Sequence, residues 1–214
     1  MAYQILLVED QSIVRNGLKM IIEQDETLQI VAEASDGVEA LESLEKFHVD
    51  LIVMDIRMPG MNGIEATKRI RSRFPKMKIL ILTTFDDEEY AYETLKDGAS
   101  GFLVKSSEPA KLLAGIHSVL EGGMVIQEGV AAKLMPKLLH KSPLQIQQEH
   151  LLQLTDRELD ILKLIGEGKT NKEIAATLFL SIGTVKNHIT SILGELDLRD
   201  RTQLAIYAVR NGIV

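Results

Sequence analysis

Across residues 1–121, short apolar runs alternate five times with longer amphipathic stretches. This βαβα rhythm constrains the fold more than any other feature, because it suits a parallel sheet covered by helices on both faces. The periodicity predicts strands near 4–8, 28–33, 50–54, 78–83 and 101–104, with helices near 12–24, 37–47, 63–73, 87–97 and 108–121. Asp36-Gly37, Pro59-Gly60, Pro75, Asp97-Gly98 and Gly122-Gly123 supply turn and helix-stop signals between them. The expected architecture is α/β, a doubly wound five-stranded parallel sheet, with a second, smaller all-α domain after it.

Chemistry-bearing residues follow four of these apolar runs. Glu9-Asp10 comes after Ile5-Leu6-Leu7-Val8, Asp55 ends Leu51-Ile52-Val53-Met54, Thr83 follows Ile79 to Leu82, and Lys105 follows Phe102-Leu103-Val104. In an open α/β sheet the crevice beyond the strand ends is where ligands bind. Phosphoryl transfer to a carboxylate needs an ionised oxygen, a divalent cation and fixed donors for the transferred charge. Asp55 fits the nucleophile, and Glu9, Asp10 and Asp55 fit a hard cation such as Mg²⁺. Lys105 fits a point charge for the phosphoryl group, and Thr83 a hydroxyl donor. Each element alone has a plainer explanation: a helix cap, a solvated strand-end acid, a surface lysine. Their coincidence on four loops of one sheet favours the functional reading.

From Gly122 to Glu149 the pattern loosens. It holds a candidate helix from Val130 to His140 and then a polar run, which reads as a linker over 122–150. Residues 151–214 read as helices near 156–166, 171–178, 182–196 and 201–211. Thr155-Asp156-Arg157-Glu158 and Thr170-Asn171-Lys172-Glu173 fit the capping box and fix two helix starts. The middle pair is joined by a short turn, the helix-turn-helix layout. In its second helix Val185, Ile189, Ile192 and Leu196 share the core-facing stripe, which leaves Asn187, Thr190 and Gly194 outward with Lys186 and Ser191 beside them. The last helix carries Leu204, Ala205, Ile206, Ala208 and Val209, more apolar positions than one buried stripe requires.

Composition excludes several classes. There is no cysteine, so disulfides and thiolate chemistry are absent, which fits a reducing compartment. Net charge is −7, but residues 151–214 hold eight basic and eight acidic groups, so the acidity belongs to the first 150. That argues against a first domain gripping nucleic acid or anionic membrane. No apolar run reaches the length of a membrane span and no basic leader opens the chain, so a cytoplasmic protein without a membrane partner is expected.

Val8-Glu9-Asp10, Asp55-Ile56-Arg57-Met58-Pro59-Gly60-Met61-Asn62-Gly63, Thr83-Thr84 and Lys105 resemble, in order and spacing, the motifs of response-regulator receiver domains of flavodoxin-like fold. Leu154 to Glu158, Asn171 to Ala175, Ser181 to His188 and Arg201-Thr202-Gln203 resemble the LuxR-type helix-turn-helix. Together they cover nearly the whole chain as a regulator of the NarL/FixJ type, with a receiver over 1–121 and a DNA-binding domain over 151–214. The resemblance implies a sensor histidine kinase as phosphodonor, promoter DNA as target and a homodimer on activation, with the last helix as dimer contact. It implies that the Arg57 backbone carbonyl joins Glu9, Asp10 and Asp55 around Mg²⁺, and that Phe102 is the aromatic that turns inward when Thr83 moves. It places Lys186, Asn187 and Thr190 toward base edges, and Asn171, Lys172, Ser181 and Thr184 near phosphates. Many receivers carry proline after the lysine, whereas Ser106 stands here, so residue type does not imply a cis bond. Relatives carry a longer basic residue where Thr190 stands. An aspartyl-phosphate phosphatase would want an acid two residues after the nucleophile, where Arg57 stands, and an RNA-binding output would want exposed aromatics, of which residues 151–214 offer Phe179 and Tyr207.

Overall fold

A computed structural model of the chain describes residues 2–84, 88–126 and 154–214. The first domain runs β1 (Tyr3–Val8), α1 (Ser12–Ile22), β2 (Leu28–Ala34), α2 (Gly37–Lys46), β3 (Leu51–Asp55), α3 (Gly63–Arg73), β4 (Lys78–Thr83), α4 (Glu88–Lys96), β5 (Gly101–Val104), α5 (Pro109–Leu120) and β6 (Val125–Ile126). All pairings are parallel, in the order β2-β1-β3-β4-β5-β6.

The strand alternation sorts side chains to two faces. Leu6, Val8, Ile52, Met54, Ile79, Ile81 and Phe102 pack with Ala40 and Leu44 of α2, Ala66 and Ile70 of α3 and Ala91 and Leu95 of α4. Ile5, Leu7, Leu51, Val53, Leu80 and Leu82 pack with Leu18 and Ile22 of α1 and Leu112, Ile116 and Val119 of α5. Burial on both faces is why β3 is apolar at every position before Asp55.

The sheet has six strands where the periodicity predicts five. Val125 and Ile126, in the stretch read as linker, pair parallel with Gly101 and Phe102 at the sheet edge. Two residues carry no period, and the pairing exists only because α5 returns the chain to that edge. The candidate helix Val130–His140 lies outside the described residues.

The second domain comprises α6 (Asp156–Gly166), α7 (Asn171–Leu178), α8 (Ile182–Glu195) and α9 (Arg201–Arg210). Both capping boxes form, with Thr155 paired to Glu158 and Thr170 to Glu173. Ser181 caps α8 by accepting from the Thr184 amide at 3.0 Å. Its core gathers Ile161, Leu162, Ile165, Ile174, Val185, Ile192, Leu196, Leu204 and Tyr207, with Ile189 partly buried against it. The surplus apolar positions of α9 have two destinations. Leu204, Ala205, Tyr207 and Ala208 fill this core, whereas Ile206 packs against the first domain's cluster.

Candidate functional site: an acidic crevice and a helix-turn-helix face

The chain leaves β1 toward β2 on one side and toward β3 on the other, which makes the β1/β3 boundary a topological switch point. Glu9 and Asp10 follow β1 and Asp55 ends β3, so the two acidic loops open into that crevice. One ligand oxygen from each of Glu9, Asp10 and Asp55 lies within 4.8 Å of the others.

Lys105 reaches over this cluster from the end of β5. Its Nζ is 2.8 Å from Asp55 Oδ2 and 2.6 Å from Glu9 Oε2. Asp55 Oδ1 accepts from the Ile56 amide at 2.8 Å, which leaves Oδ2 to the lysine. Thr83 is fully buried at the end of β4, and its carbonyl accepts from the Lys105 amide at 2.7 Å. Phe102 lies fully buried in the core cluster on the α2, α3 and α4 face of the sheet. Arg57 stands two residues past Asp55 with an exposed side chain. Among the described residues no peptide bond is cis, so Lys105-Ser106 is trans.

Burial pushes the carboxyls of both Asp55 and Glu9 above their ordinary range, with the Lys105 hydrogen bond and charge pulling against it. Burial pulls Lys105 down, but hydrogen bonds to Asp55 and Glu9 outweigh it and the net direction is up. One lysine therefore balances acids whose combined charge exceeds its own. Asp10 Oδ1 is buried with no hydrogen-bond partner among the described residues. A buried orphan oxygen beside two other carboxylates has the donor set and excess charge of a divalent cation site.

The sequence did not point to Arg15. Its Nη1 donates to the Glu9 carbonyl at 2.6 Å while Nε pairs with Glu33 at 3.3 Å, tying α1 and β2 to the acidic loop. Its partners lie just past β1 and on β2, so no local pattern reveals it. Gly63 is equally specific. A Cβ there would collide with the Asp55 carbonyl and come within 2.9 Å of the Ile56 Cα. Only glycine lets α3 start against the strand end that presents Asp55.

On the second domain, Lys186, Asn187 and Thr190 are exposed on α8, with Lys172 exposed on α7. Ser181 is exposed and Thr184 half-buried at the start of α8, and the Thr190 hydroxyl donates to the Lys186 carbonyl at 3.0 Å. Asn171 is placed differently from these. It is buried, accepts from Arg201 Nη1 at 3.0 Å through its side chain, and donates its backbone amide to the Glu121 carbonyl of the first domain at 3.4 Å.

This geometry has known counterparts. Residues 5–117 match the response regulator receiver domain, and residues 152–208 match the bacterial regulatory proteins of the luxR family. The chain is a two-component response regulator. It is 42% identical to the transcriptional regulatory protein LiaR of Bacillus subtilis, with 99% of both chains aligned, and 41% identical to LnrK of the same organism, with 98% of both. The crystal structure of the response regulator ChrA, of a heme-sensing two-component system, aligns over 100% of this chain and 99% of its own at 30% identity and a TM-score of 0.53. The regulator thus joins a receiver to a luxR-type DNA-binding domain. No described helix in it is long and apolar enough to cross a membrane.

Proposed function

We propose that this response regulator takes a phosphoryl group from a histidine kinase onto Asp55 and binds promoter DNA as a homodimer when phosphorylated. The observation that carries the reading is the 2.8 Å contact between Lys105 and Asp55 beside the orphaned Asp10 oxygen. An Asp55 carboxylate oxygen forms the new P–O bond as the P–N bond of phosphohistidine breaks, and the imidazole nitrogen keeps the electron pair. Lys105 and Thr83 would receive the negative oxygens of the arriving group. Glu9, Asp10, Asp55 and the Arg57 carbonyl would hold Mg²⁺, which when bound neutralises phosphate charge. Phe102, fully buried in the cluster that also holds Ala91 and Leu95 of α4, is the switch aromatic in this reading. On the second domain Lys186, Asn187 and Thr190 address base edges, and Lys172, Ser181 and Thr184 lie toward phosphates. Asn171, the remaining candidate on the phosphate side, is held by Arg201 of its own domain.

The test is covalent labelling. Acetyl phosphate with Mg²⁺ should add one phosphate by intact mass, EDTA should prevent it, and Asp55→Asn should remain unlabelled because an amide is a poor nucleophile. Undiminished labelling of Asp55→Asn would remove the assignment.

A further inference from the structure

Glu9 is the first residue past β1, whose last ladder pairs are Val8 with Ala34 and Val8 with Met54. Its amide still donates to the Ala34 carbonyl at 3.0 Å, but its own carbonyl lies beyond the strand and needs a donor from elsewhere. Arg15 supplies one from the first turn of α1, with Nη1 2.6 Å from that oxygen. The guanidinium is itself anchored, because Nε bonds Glu33 Oε2 at 3.3 Å, while Lys19, one turn along α1, takes the other Glu33 oxygen at 2.7 Å. The Glu9 side chain is fixed as well: Oε1 accepts from the Gln11 amide at 3.3 Å, and Oε2 meets Lys105 Nζ at 2.6 Å. Asp10 has no such support. Its Oδ1 is buried without a hydrogen-bond partner among the described residues, so its aim into the crevice comes from the peptide that precedes it, and that peptide carries the carbonyl Arg15 holds.

We propose that Arg15 is a positioning residue of the phosphoacceptor site: by clamping the Glu9–Asp10 peptide it aims Asp10 at the divalent cation and sets how tightly Mg²⁺ binds. The proposal rests on reading Glu9, Asp10 and Asp55 as the cation ligands of a phosphoacceptor site, and it adds a residue that acts on them through the backbone. An arginine suits this role. One planar guanidinium bonds a backbone carbonyl through one nitrogen and a carboxylate through another, so α1, β2 and the acidic loop are fixed at a single angle, which the freely turning ammonium of a lysine does not enforce. Groups of this kind behind metal ligands govern metal affinity without touching the metal. Charge alone predicts the reverse sign. Arg15 and Lys19 share one acid, Glu33, so a net positive charge stands beside the crevice and would by itself repel Mg²⁺. Loss of Arg15 therefore weakens Mg²⁺ binding if the residue positions the loop, and strengthens it if the residue acts only through its charge.

Three variants of the full chain test this. Arg15→Met keeps the stem and removes the donors, Arg15→Lys keeps the charge on a single nitrogen, and Glu33→Gln keeps Arg15 but loosens its anchor. Calorimetric titration with Mg²⁺ should show Arg15→Met binding about tenfold more weakly than wild type, with Arg15→Lys and Glu33→Gln between the two. In acetyl phosphate labelling followed by intact mass, the half-saturating Mg²⁺ concentration of Arg15→Met should rise by the same factor. Its labelling rate at saturating Mg²⁺ should stay within about twofold of wild type, because Asp55 and Lys105 are untouched. Unchanged or tighter Mg²⁺ binding by Arg15→Met would overturn the proposal, as would a fall in the saturating rate at unchanged affinity. Should circular dichroism show that Arg15→Met does not fold, Glu33→Gln decides, and wild-type Mg²⁺ affinity in that variant would overturn the proposal. Absence of Mg²⁺ binding by the wild type would instead overturn the cation site on which the proposal rests.

Discussion

Asp10 sits in the crevice with a buried oxygen that nothing among the described residues satisfies, next to Glu9 and Asp55. Such a residue serves ligand binding at the expense of stability. Asp10→Asn should therefore stabilise the metal-free fold by about 1 kcal/mol, by removing one of three crowded charges. Thermal melting in EDTA should rise while Mg²⁺ binding by calorimetry disappears, and a fall in melting temperature would show that Asp10 is not under strain. The exposed residues of α8 act differently. On duplex DNA selected from a random pool by the acetyl-phosphate-treated wild type, Lys186→Ala or Asn187→Ala should each cost about 1–3 kcal/mol and relax preference at one base position, with phosphorylation unchanged. Lys172→Ala should weaken all sequences alike and lower the salt slope by about one unit. Gel shifts over a salt series separate the two, and an intact site preference in the α8 variants would show that another face reads the bases.

At the scale of elements, the helix starts of the second domain depend on ionised glutamates. The Thr155 hydroxyl bonded to Glu158 and the Thr170 amide bonded to Glu173 hold both carboxyls below their ordinary range. A depressed folded value means the stabilisation is complete above the unfolded value of 4.5 and is lost as pH falls through the lower folded value. Circular-dichroism melts of the chain should show helix stability dropping from about pH 5 toward pH 3, and Glu173→Gln should be less sensitive over that window. An identical pH profile for the variant would mean the capping box contributes nothing. Phe179 shows the opposite economy. It ends α7 in a left-handed conformation, φ 55° and ψ 44°, and the residue is 96% exposed. The turn of the helix-turn-helix thus accepts local strain where glycine or asparagine would sit without it. Apolar periodicity gives no hint of this, because the sign of φ is invisible to hydropathy.

For the whole molecule, phosphorylation control of the proposed kind predicts that docking of the second domain opposes DNA binding. A fragment spanning residues 149–214 should bind the selected DNA more tightly than the unphosphorylated full chain and comparably to the phosphorylated one at equal dimer content. A modest interface suffices for such a switch, since a few kcal/mol of differential stability moves a two-state population by orders of magnitude. Gel-shift titration of fragment, unphosphorylated and phosphorylated chain at one salt concentration decides it. A fragment no tighter than the unphosphorylated chain would leave receiver pairing as the route by which phosphate acts.

Local and periodic information in the sequence determined the five main strands, the nine helices among the described residues, both capping boxes and the strand ends on which Glu9, Asp10, Asp55, Thr83 and Lys105 stand. Strand ends of a parallel sheet share one edge, so chemistry written locally converges without any pairwise code. Tertiary structure alone decided what depends on partners distant in the chain. The sixth strand needs the return of α5, and Arg15 meets Glu9 and Glu33 only once β1 and β2 lie side by side. Asn171 turns from a phosphate-facing candidate into a buried acceptor because Arg201, thirty residues later, folds back onto it. Arg71, Asp200, Thr202 and Ile206 carry no motif linking the two domains, since their contacts cross from one folded unit to another. Periodicity reports which side of an element is apolar, whereas the surface that receives Ile206 exists only after both domains have folded.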